Sequence, residues 1–292
     1  AVKSYEKSIS IDPNYAKAHN NLANIYKESS QYDNAIISYK KALLIDPKLV
    51  EARHGLVILL EELDRIEPLI EHLEQLIILN PDSIDSYNRI GLGLERLGRF
   101  EDAVNAYKKA LEISPDFPAL HNNLGNVYKK LGRLEDALDS YSKGLVLNPE
   151  YTDLLNNIGV VLNDLGQYEE AIKSYKKAIK INLDYAEAFN NLGVSYNKLG
   201  QLDKAVQSYE KALEIDPKYA DAYNNLGVVQ KKMGQIDAAI ASYKKAIAIN
   251  PNDADTFNNL GNAMEDSENF STAIKNYQKA IELNPKFFQA YN

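Results

Sequence analysis

Apolar and polar positions alternate along this chain in two recurring patterns, and each has the period of one face of an α-helix. The stretch 186–219 contains one copy of both. A break at Leu199 and Gly200 separates them, because glycine commonly follows the last helical turn, and Pro217 ends the second, because proline has no amide hydrogen to donate. The stretch therefore predicts two antiparallel helices. Their apolar faces hold Phe189, Leu192, Gly193, Tyr196, Ala205, Val206, Tyr209, Ala212, Leu213 and Ile215.

The same double pattern returns every 34 residues along the chain. A fixed period of this size indicates stacked helix pairs, because one pair cannot bury its own apolar face and the next pair covers it. We therefore predict an all-α fold, a single continuous solenoid over residues 1–292. The period is marked by Pro13, Pro47, Pro81, Pro115, Pro149, Pro217, Pro251 and Pro285, and Leu183 stands where a further proline is expected.

Numbering each repeat from 1 to 34 gives eight complete repeats over residues 16–287. Residues 1–15 match the second half of an earlier repeat, and residues 288–292 match the start of another. Natural arrays normally end in caps with a polar outer face, and neither end of this sequence has that character. We therefore expect the sequence to be a piece of a longer protein.

The repeat 186–219 has Leu at position 7, Gly at 8, Tyr at 11, Ala at 20, an aromatic at 24, Ala at 27 and Pro at 32, and most of these residue types recur at the same positions of the other repeats. With these residue types at these positions, the whole chain resembles the tetratricopeptide repeat family. Position 4, where that family usually has Trp, holds Tyr, Phe, His or Leu, and Arg53 in one repeat. The resemblance implies a right-handed superhelical solenoid of antiparallel helix pairs, with the first helices lining a concave wall.

The repeat 50–83 departs from the pattern. Large residues occupy positions that are small elsewhere, so we expect its two helices to lie further apart. Pro68 falls near the start of its second helix, where proline is tolerated. The repeat is either a drifted but folded copy or a joint that alters the superhelix. The large residues are Val57, Leu69, Leu73 and Leu76.

Charge and composition narrow the range of partners. The net charge is −8, the pI is 5.2 and there is no basic block, which argues against nucleic acid or an anionic membrane as a partner. No apolar run approaches the roughly 18 residues of a membrane span. The chain has no cysteine, so disulfides and thiolate metal sites are excluded. No signal peptide is visible, which favours a cytoplasmic location but leaves the compartment unknown.

No arrangement of residues in the sequence predicts an enzyme or a cofactor site. His19 and His121 occupy position 4 of the core face, where a packed structural histidine is expected. There is no metal-ligand spacing, no phosphate-binding glycine loop and no nucleophile motif. We therefore predict that this chain is not an enzyme, that it needs no cofactor or metal, and that any catalytic domain lies outside it.

Asparagines in the middle of the first helices are the unusual feature. Asn is roughly 0.3–0.5 kcal/mol less favourable in a helix than Lys, Gln or Glu. The thirteen asparagines at positions 5 and 6 therefore call for a compensating interaction. Position 5 holds Asn20, Asn88, Asn122, Asn156, Asn190, Asn224 and Asn258. Position 6 holds Asn21, Asn123, Asn157, Asn191, Asn225 and Asn259, and position 9 adds Asn24, Asn126 and Asn262.

Position 6 lies opposite the apolar face of the first helix, at about 100° of turn per residue. We predict that its carboxamides form a ladder along the groove and bind the main chain of an extended peptide or protein segment, because each offers a donor and an acceptor. Alternatively, position 6 is solvated or bonds to the next repeat, as we expect for position 5. The predicted peptide-binding residues are Asn21, Asn123, Asn126, Asn157, Asn191, Asn225, Asn259 and Asn262.

Two charged rows flank the ladder, an acidic one at position 2 and a partly basic one at position 13. They either pair with each other or select charged side chains of a ligand. The acidic row is Glu51, Asp85, Asp153, Glu187, Asp221 and Asp255, and the basic residues at position 13 are Arg96, Lys130, Lys198 and Lys232.

The asparagine ladder is similar to that of the tetratricopeptide arm of protein O-linked N-acetylglucosamine transferases and their bacterial relatives. This resemblance implies an arm that recruits protein substrates, although Gly55 and Arg89 interrupt the ladder. Two other functions remain open. The array could be a scaffold that joins folded partners by its outer surfaces, or it could self-associate through uncapped ends that expose Phe287, Phe288 and Tyr291.

Overall fold

The computed structural model describes residues 2–285, which contain 17 α-helices and no strand. In every repeat there, positions 1–13 form a first helix and positions 17–30 a second, so the predicted all-α array of antiparallel helix pairs is confirmed. The first helices are α2 (Ala16–Glu28), α4 (Val50–Glu62), α6 (Ile84–Arg96), α8 (Pro118–Lys130), α10 (Thr152–Asp164), α12 (Ala186–Lys198), α14 (Ala220–Lys232) and α16 (Ala254–Asp266). The second helices are α1 (Val2–Ile11), α3 (Tyr32–Ile45), α5 (Ile66–Leu79), α7 (Phe100–Ile113), α9 (Leu134–Leu147), α11 (Tyr168–Ile181), α13 (Leu202–Ile215), α15 (Ile236–Ile249) and α17 (Phe270–Leu283).

The helices group into two compact units, Ala1–Leu147 and Asn148–Asn292, here called the N-terminal and C-terminal units. Within each unit, every helix packs against the next one in the chain. A single continuous superhelix over 1–292 stays a prediction. The predicted start of a further repeat, 288–292, lies outside the described residues, and so do the residues of the predicted exposed end, Phe287, Phe288 and Tyr291.

A tyrosine at position 24 fills the centre of most helix pairs. Tyr209 is fully buried, and a Cβ added to Gly193 would lie 2.6 Å from its ring. Five further repeats between residues 84 and 285 have the same contact, at 2.4–2.6 Å. In these six repeats the ring occupies the space that a side chain at position 8 would need, whereas the first complete repeat combines Ala23 at position 8 with a buried Tyr39 at position 24.

The turn inside each pair depends on a left-handed residue at position 15. Gly200 has φ +71°, a conformation that glycine adopts without a Cβ penalty. Gln201 then caps α13, and Asp203 lies in its first turn, where a carboxylate favours the helix dipole. Because the left-handed glycine reverses the chain within one residue, the second helix begins at Leu202.

The turn between repeats is closed by a side chain as well as by proline. At position 31 an Asp or Asn oxygen accepts a hydrogen bond from the amide two residues later, as Asp216 does from Lys218 at 2.9 Å. Asn182 makes the same bond to the amide of Asp184, at 3.0 Å. Helix α11 therefore ends at its usual position, although Leu183 replaces the proline.

The repeat 50–83 has the loosest helix pair among the complete pairs in residues 16–285. The backbones of α4 and α5 approach each other along less of their length than in those pairs. Leu69, Leu73 and Leu76 are all buried, so they form a core in place of the small residues and the tyrosine. The expectation of a wider separation is confirmed, and the repeat is folded.

Candidate functional site

The first helices lie on the inner side of the curvature within the C-terminal unit. Each of α10, α12 and α14 contacts the next first helix along the chain, whereas neighbouring second helices approach one another less. Helices that are closer together at one face of a stack mark its inner side. The asparagines of positions 5 and 6 therefore lie on helices that form this inner surface.

Position 6 donates a hydrogen bond to position 5 of the preceding repeat. Nδ2 of Asn225, for example, lies 3.0 Å from Oδ1 of Asn190. The bonding between repeats that sequence analysis left open therefore occurs, and it fixes the orientation of each carboxamide. The other pairs are Asn123 to Asn88 at 3.1 Å, Asn191 to Asn156 at 3.1 Å and Asn259 to Asn224 at 3.0 Å.

These bonds leave part of each position 6 residue accessible. Asn123, Asn191, Asn225 and Asn259 are all partly exposed. Each uses one N–H in the bond to the preceding repeat, and an asparagine side chain has two N–H groups and an oxygen with two lone pairs. Oδ1 of Asn191 already accepts from Nδ2 of Asn190 at 3.4 Å, and a second lone pair on each oxygen is able to accept a hydrogen bond from a ligand.

Position 5 is structural, as expected. Asn156 and Asn190 are buried, and each accepts the bond from position 6. Asn156 also donates to the Glu187 carboxylate at 3.0 Å, and Asn190 donates to Oδ1 of Asn191 at 3.4 Å. The asparagines at position 5 therefore use their hydrogen-bonding groups for contacts within the array.

The two breaks in the ladder have separate causes. A Cβ on Gly55 would lie 2.7 Å from the ring of Tyr39 in the preceding repeat, so asparagine does not fit there. An asparagine at residue 55 would donate to Oδ1 of Asn20 in the preceding repeat. With glycine there, this oxygen is buried without a partner. Arg89 instead forms ion pairs with Glu61 and Asp85.

Position 9 serves the core tyrosines. The hydroxyl of Tyr141 donates to Oδ1 of Asn126 at 2.7 Å. The hydroxyl of Tyr277 lies 2.9 Å from Oδ1 of Asn262 and 2.7 Å from Oε2 of Glu265, so these two acceptors share its one hydrogen. Both asparagines are among the predicted peptide-binding residues, and each oxygen lies within hydrogen-bonding distance of a core tyrosine. Their role in peptide binding stays a prediction. Sequence reasoning could have found this role, because position 9 faces the same tyrosine as position 8.

Charged residues at positions 2 and 13 bond to residues outside these two rows, whereas the sequence analysis considered pairing of the rows with each other. Lys130 at position 13 pairs with Glu95 at position 12 of the preceding repeat, at 2.9 Å, and Asp266 pairs with Lys231 in the same way at 3.0 Å. At position 2, the Asp153 carboxylate accepts from the hydroxyl of Tyr185 at 3.0 Å. Exposed pairs of this kind contribute about 0–1 kcal/mol each, so the rows mainly set the charge of the inner surface.

The histidines at position 4 join their repeats to the preceding ones through a main-chain carbonyl. Nε2 of His121 hydrogen bonds to the carbonyl of Pro115 at 2.9 Å, and Nε2 of His19 to that of Pro13 at 3.2 Å. The structural role expected for these buried histidines is confirmed. Over residues 2–285, no group of three or more His, Asp or Glu side chains is placed to hold a metal ion.

The fold and this surface define a class of helical-repeat proteins that work by interaction. Two models of the tetratricopeptide repeat family match the chain and together cover most of it, so the chain belongs to the tetratricopeptide repeat family. The model described as TPR repeat matches residues 1–30, 94–132, 161–200 and 195–234. The model described as Tetratricopeptide repeat matches residues 16–49, 118–151, 220–253 and 254–287. Proteins built from these repeats mediate protein–protein interactions.

Solved structures share the fold. The Pseudomonas aeruginosa protein pilF is 23% identical with a TM-score of 0.62, over 71% of this chain and 95% of that chain. MamA is 31% identical with a TM-score of 0.50, over 56% of this chain and 95% of that chain. The APC/C hetero-tetramer Cut9–Hcn1 contributes a chain that is 17% identical with a TM-score of 0.68, over 99% of this chain and 57% of that chain. The comparison with curated proteins found no significant match.

None of the helices described in residues 2–285 is both long enough and apolar enough to cross a membrane.

Proposed function

We propose that the inner surface of the C-terminal unit binds extended peptide segments, with the asparagine ladder as the main-chain acceptor. The observation that supports this most is the repeated bond from position 6 to position 5. It holds Asn191, Asn225 and Asn259 in one orientation, at 3.0–3.1 Å, on helices that form the inner surface, and each oxygen keeps at least one lone pair for a ligand. A ligand then meets acceptors that are already ordered, which lowers the entropy cost of binding.

The position of the free groups indicates which part of a ligand would be recognised. Main-chain N–H groups recur along any extended segment, whatever its side chains are. Acceptors at one per repeat therefore suit a ligand that is read by its backbone. The exposed Asp221 and Asp255 at position 2 add negative charge beside the ladder and favour segments that carry Lys or Arg.

Energetics limit the affinity. A hydrogen bond contributes about 1 kcal/mol net, and ordering a flexible segment costs about 2–5 kcal/mol or more. A handful of ladder contacts therefore supports binding in the micromolar range or weaker. Such affinity suits transient recruitment of many substrates, as by the substrate-recruiting arm of a larger protein such as a glycosyltransferase.

A comparison of two triple variants tests the ladder. Changing Asn191, Asn225 and Asn259 to Ala removes the carboxamides of position 6. Binding of a peptide selected against the wild-type chain from a random library is followed by fluorescence anisotropy. We expect the affinity to fall about tenfold or more, at about fivefold for each lost bond of about 1 kcal/mol. Replacing the amide hydrogens of the peptide by N-methyl groups has the same effect.

The matched control changes the partners of the same bonds. Changing Asn156, Asn190 and Asn224 to Ala breaks the same three contacts between repeats but leaves the asparagines of position 6 in place. We expect this variant to lose stability and to bind the peptide more weakly than the wild type but more tightly than the position 6 variant, because its acceptors are present but no longer held in one orientation. Equal affinity of the position 6 variant and the wild type, with helicity intact, would exclude the ladder as the site.

Exposed apolar residues on second helices favour one other function, a scaffold that joins partners by the outer surface. Leu44, Ile78 and Val146 are 83%, 69% and 80% exposed. All three stand at position 29, on three different second helices of the N-terminal unit. If Leu44, Ile78 and Val146 to Ser abolished partner binding while the ladder variants did not, this second function would replace the first.

A further inference from the structure

A cleft in the N-terminal unit has a buried cation at its floor. It lies between the second helices α3 and α5, with α4 beneath it, and its volume is about 430 Å³. Arg53 at the floor is 6% exposed. Its Nη2 donates to the carbonyl of Pro47 at 2.8 Å, and its Nη1 donates to Nδ1 of His72 at 3.2 Å. Its Nε is buried without a partner.

No carboxylate of the described residues forms an ion pair with Arg53, although a buried charge normally has a partner of opposite sign. Glu71 lies on the wall of the cleft beyond ion-pair distance, and Lys40 on the facing wall adds a second positive charge. Burial lowers the pKa of Arg53, while the charge of Glu71 acts in the other direction. The cleft therefore has an excess of positive charge in a chain whose net charge is −8.

The structural task of position 4 does not require this charge. His19 and His121 occupy the same place in their repeats and bond to the matching proline carbonyl without a guanidinium. The cleft above His121 is lined by Asp136, Asp139 and Glu112 as well as by lysines. Only Arg53, among the position 4 residues of 16–285, brings a permanent charge to the floor.

We propose that the Arg53 cleft binds an anion, either a phosphate group or a carboxylate. Arg53 and Lys40 supply the charge, and the apolar walls formed by Leu43 and Pro68 exclude water and strengthen the attraction. The site is flanked by second helices, so it is separate from the asparagine ladder and does not depend on it.

His72 provides a direct readout. Burial and the neighbouring charge of Arg53 lower its pKa, Glu71 raises it to a lesser extent, and Lys40 lowers it further. A bound anion would neutralise part of the surrounding positive charge, so we expect the pKa of His72 to rise on binding. Nuclear magnetic resonance resolves this histidine from the other three in the chain, and a His72→Gln variant assigns its signal.

The experiment titrates the full chain with inorganic phosphate and, separately, with acetate, at ionic strength held constant with sodium chloride. We expect a saturable shift of the His72 signal and a rise in the thermal midpoint with at least one of the two anions. A response to phosphate alone identifies a phosphate site, and a response to acetate alone identifies a carboxylate site. No saturable response of His72 to either anion would overturn the proposal.

An Arg53→His variant tests the residue without removing its structural bond, because histidine makes that bond at positions 19 and 121. We expect it to fold and to bind the anion about tenfold more weakly or worse, since a hydrogen bond to a charged group contributes about 1.5–3 kcal/mol. Arg99→Gln, which removes an exposed arginine elsewhere in the same unit, should leave the response unchanged. Retention of the response by the folded Arg53→His variant would also overturn the proposal.

Discussion

At the scale of single residues, the contact between position 8 and position 24 decides how closely two helices pack. The ring of Tyr209 occupies the space where a side chain on Gly193 would begin. The exceptional repeat shows the alternative, in which Val57 at position 8 faces Leu73 at position 24 and both are buried. The two positions are therefore coupled, and a change at one alters what the other tolerates.

We predict that Gly193→Ala lowers the stability of this helix pair by about 1–3 kcal/mol, because an extra carbon overpacks the core. Amide hydrogen exchange in α12 and α13 measures the local free energy of opening. In the Gly193→Ala, Tyr209→Leu double variant, the loss should be smaller than the sum of the two single losses. Simple additivity of the two changes would contradict the proposed contact.

At the scale of the element, the turn at position 15 is strained wherever the residue at that position is not glycine. Ser30, Asp64 and Glu268 have φ values of 58°, 53° and 59°. The left-handed conformation costs an ordinary residue roughly 1–2 kcal/mol, while glycine adopts it freely. The three repeats that lack glycine there keep the same helix boundaries, so packing of the flanking helices imposes the turn.

We predict that Glu268→Gly stabilises the pair α16–α17 by about 0.5–1 kcal/mol, because relief of strain outweighs the greater freedom of glycine in the unfolded chain. Chemical denaturation followed by circular dichroism measures the change. Lys275→Gly, in the middle of α17, is the matched control and should destabilise by about 1 kcal/mol. A loss of stability in both variants would show that the turn is not strained.

At the scale of the whole molecule, the buried tyrosines connect stability to alkaline pH. Burial raises the pKa of Tyr107, Tyr141, Tyr175, Tyr209 and Tyr243 above the ordinary value. A group whose pKa is higher in the folded state contributes stability below its unfolded pKa of about 10, and this contribution is lost as the pH rises further.

We predict that the protein unfolds cooperatively above about pH 10, with ionisation of the core tyrosines accompanying the loss of helix. Tyrosinate absorbance and far-ultraviolet circular dichroism, recorded together, measure both events. Tyr209→Phe should delay unfolding, because the hydroxyl of Tyr209 is buried without a partner and its removal leaves no group to ionise. Full ionisation of all tyrosines with helicity unchanged would contradict this.

The 34-residue period by itself determined the helix pairs, their breaks and the class of the fold, because each repeat carries its own stop signals and core residues. It also indicated that Asn190 and its equivalents bond within the array. These features are local or recur at a fixed distance in the chain, so a pattern is enough to show them.

Only the tertiary structure decided how the polar side chains share their hydrogen bonds. The oxygen of Asn126 accepts a hydrogen bond from the core residue Tyr141, and Gly55 leaves space for the ring of Tyr39 in the preceding repeat. Arg53 has no carboxylate partner, and its Nε is buried without a hydrogen bond. Each of these facts depends on distances between repeats and on competition among several possible partners. A sequence pattern shows which groups are present, whereas packing determines which of them remain free to bind a ligand.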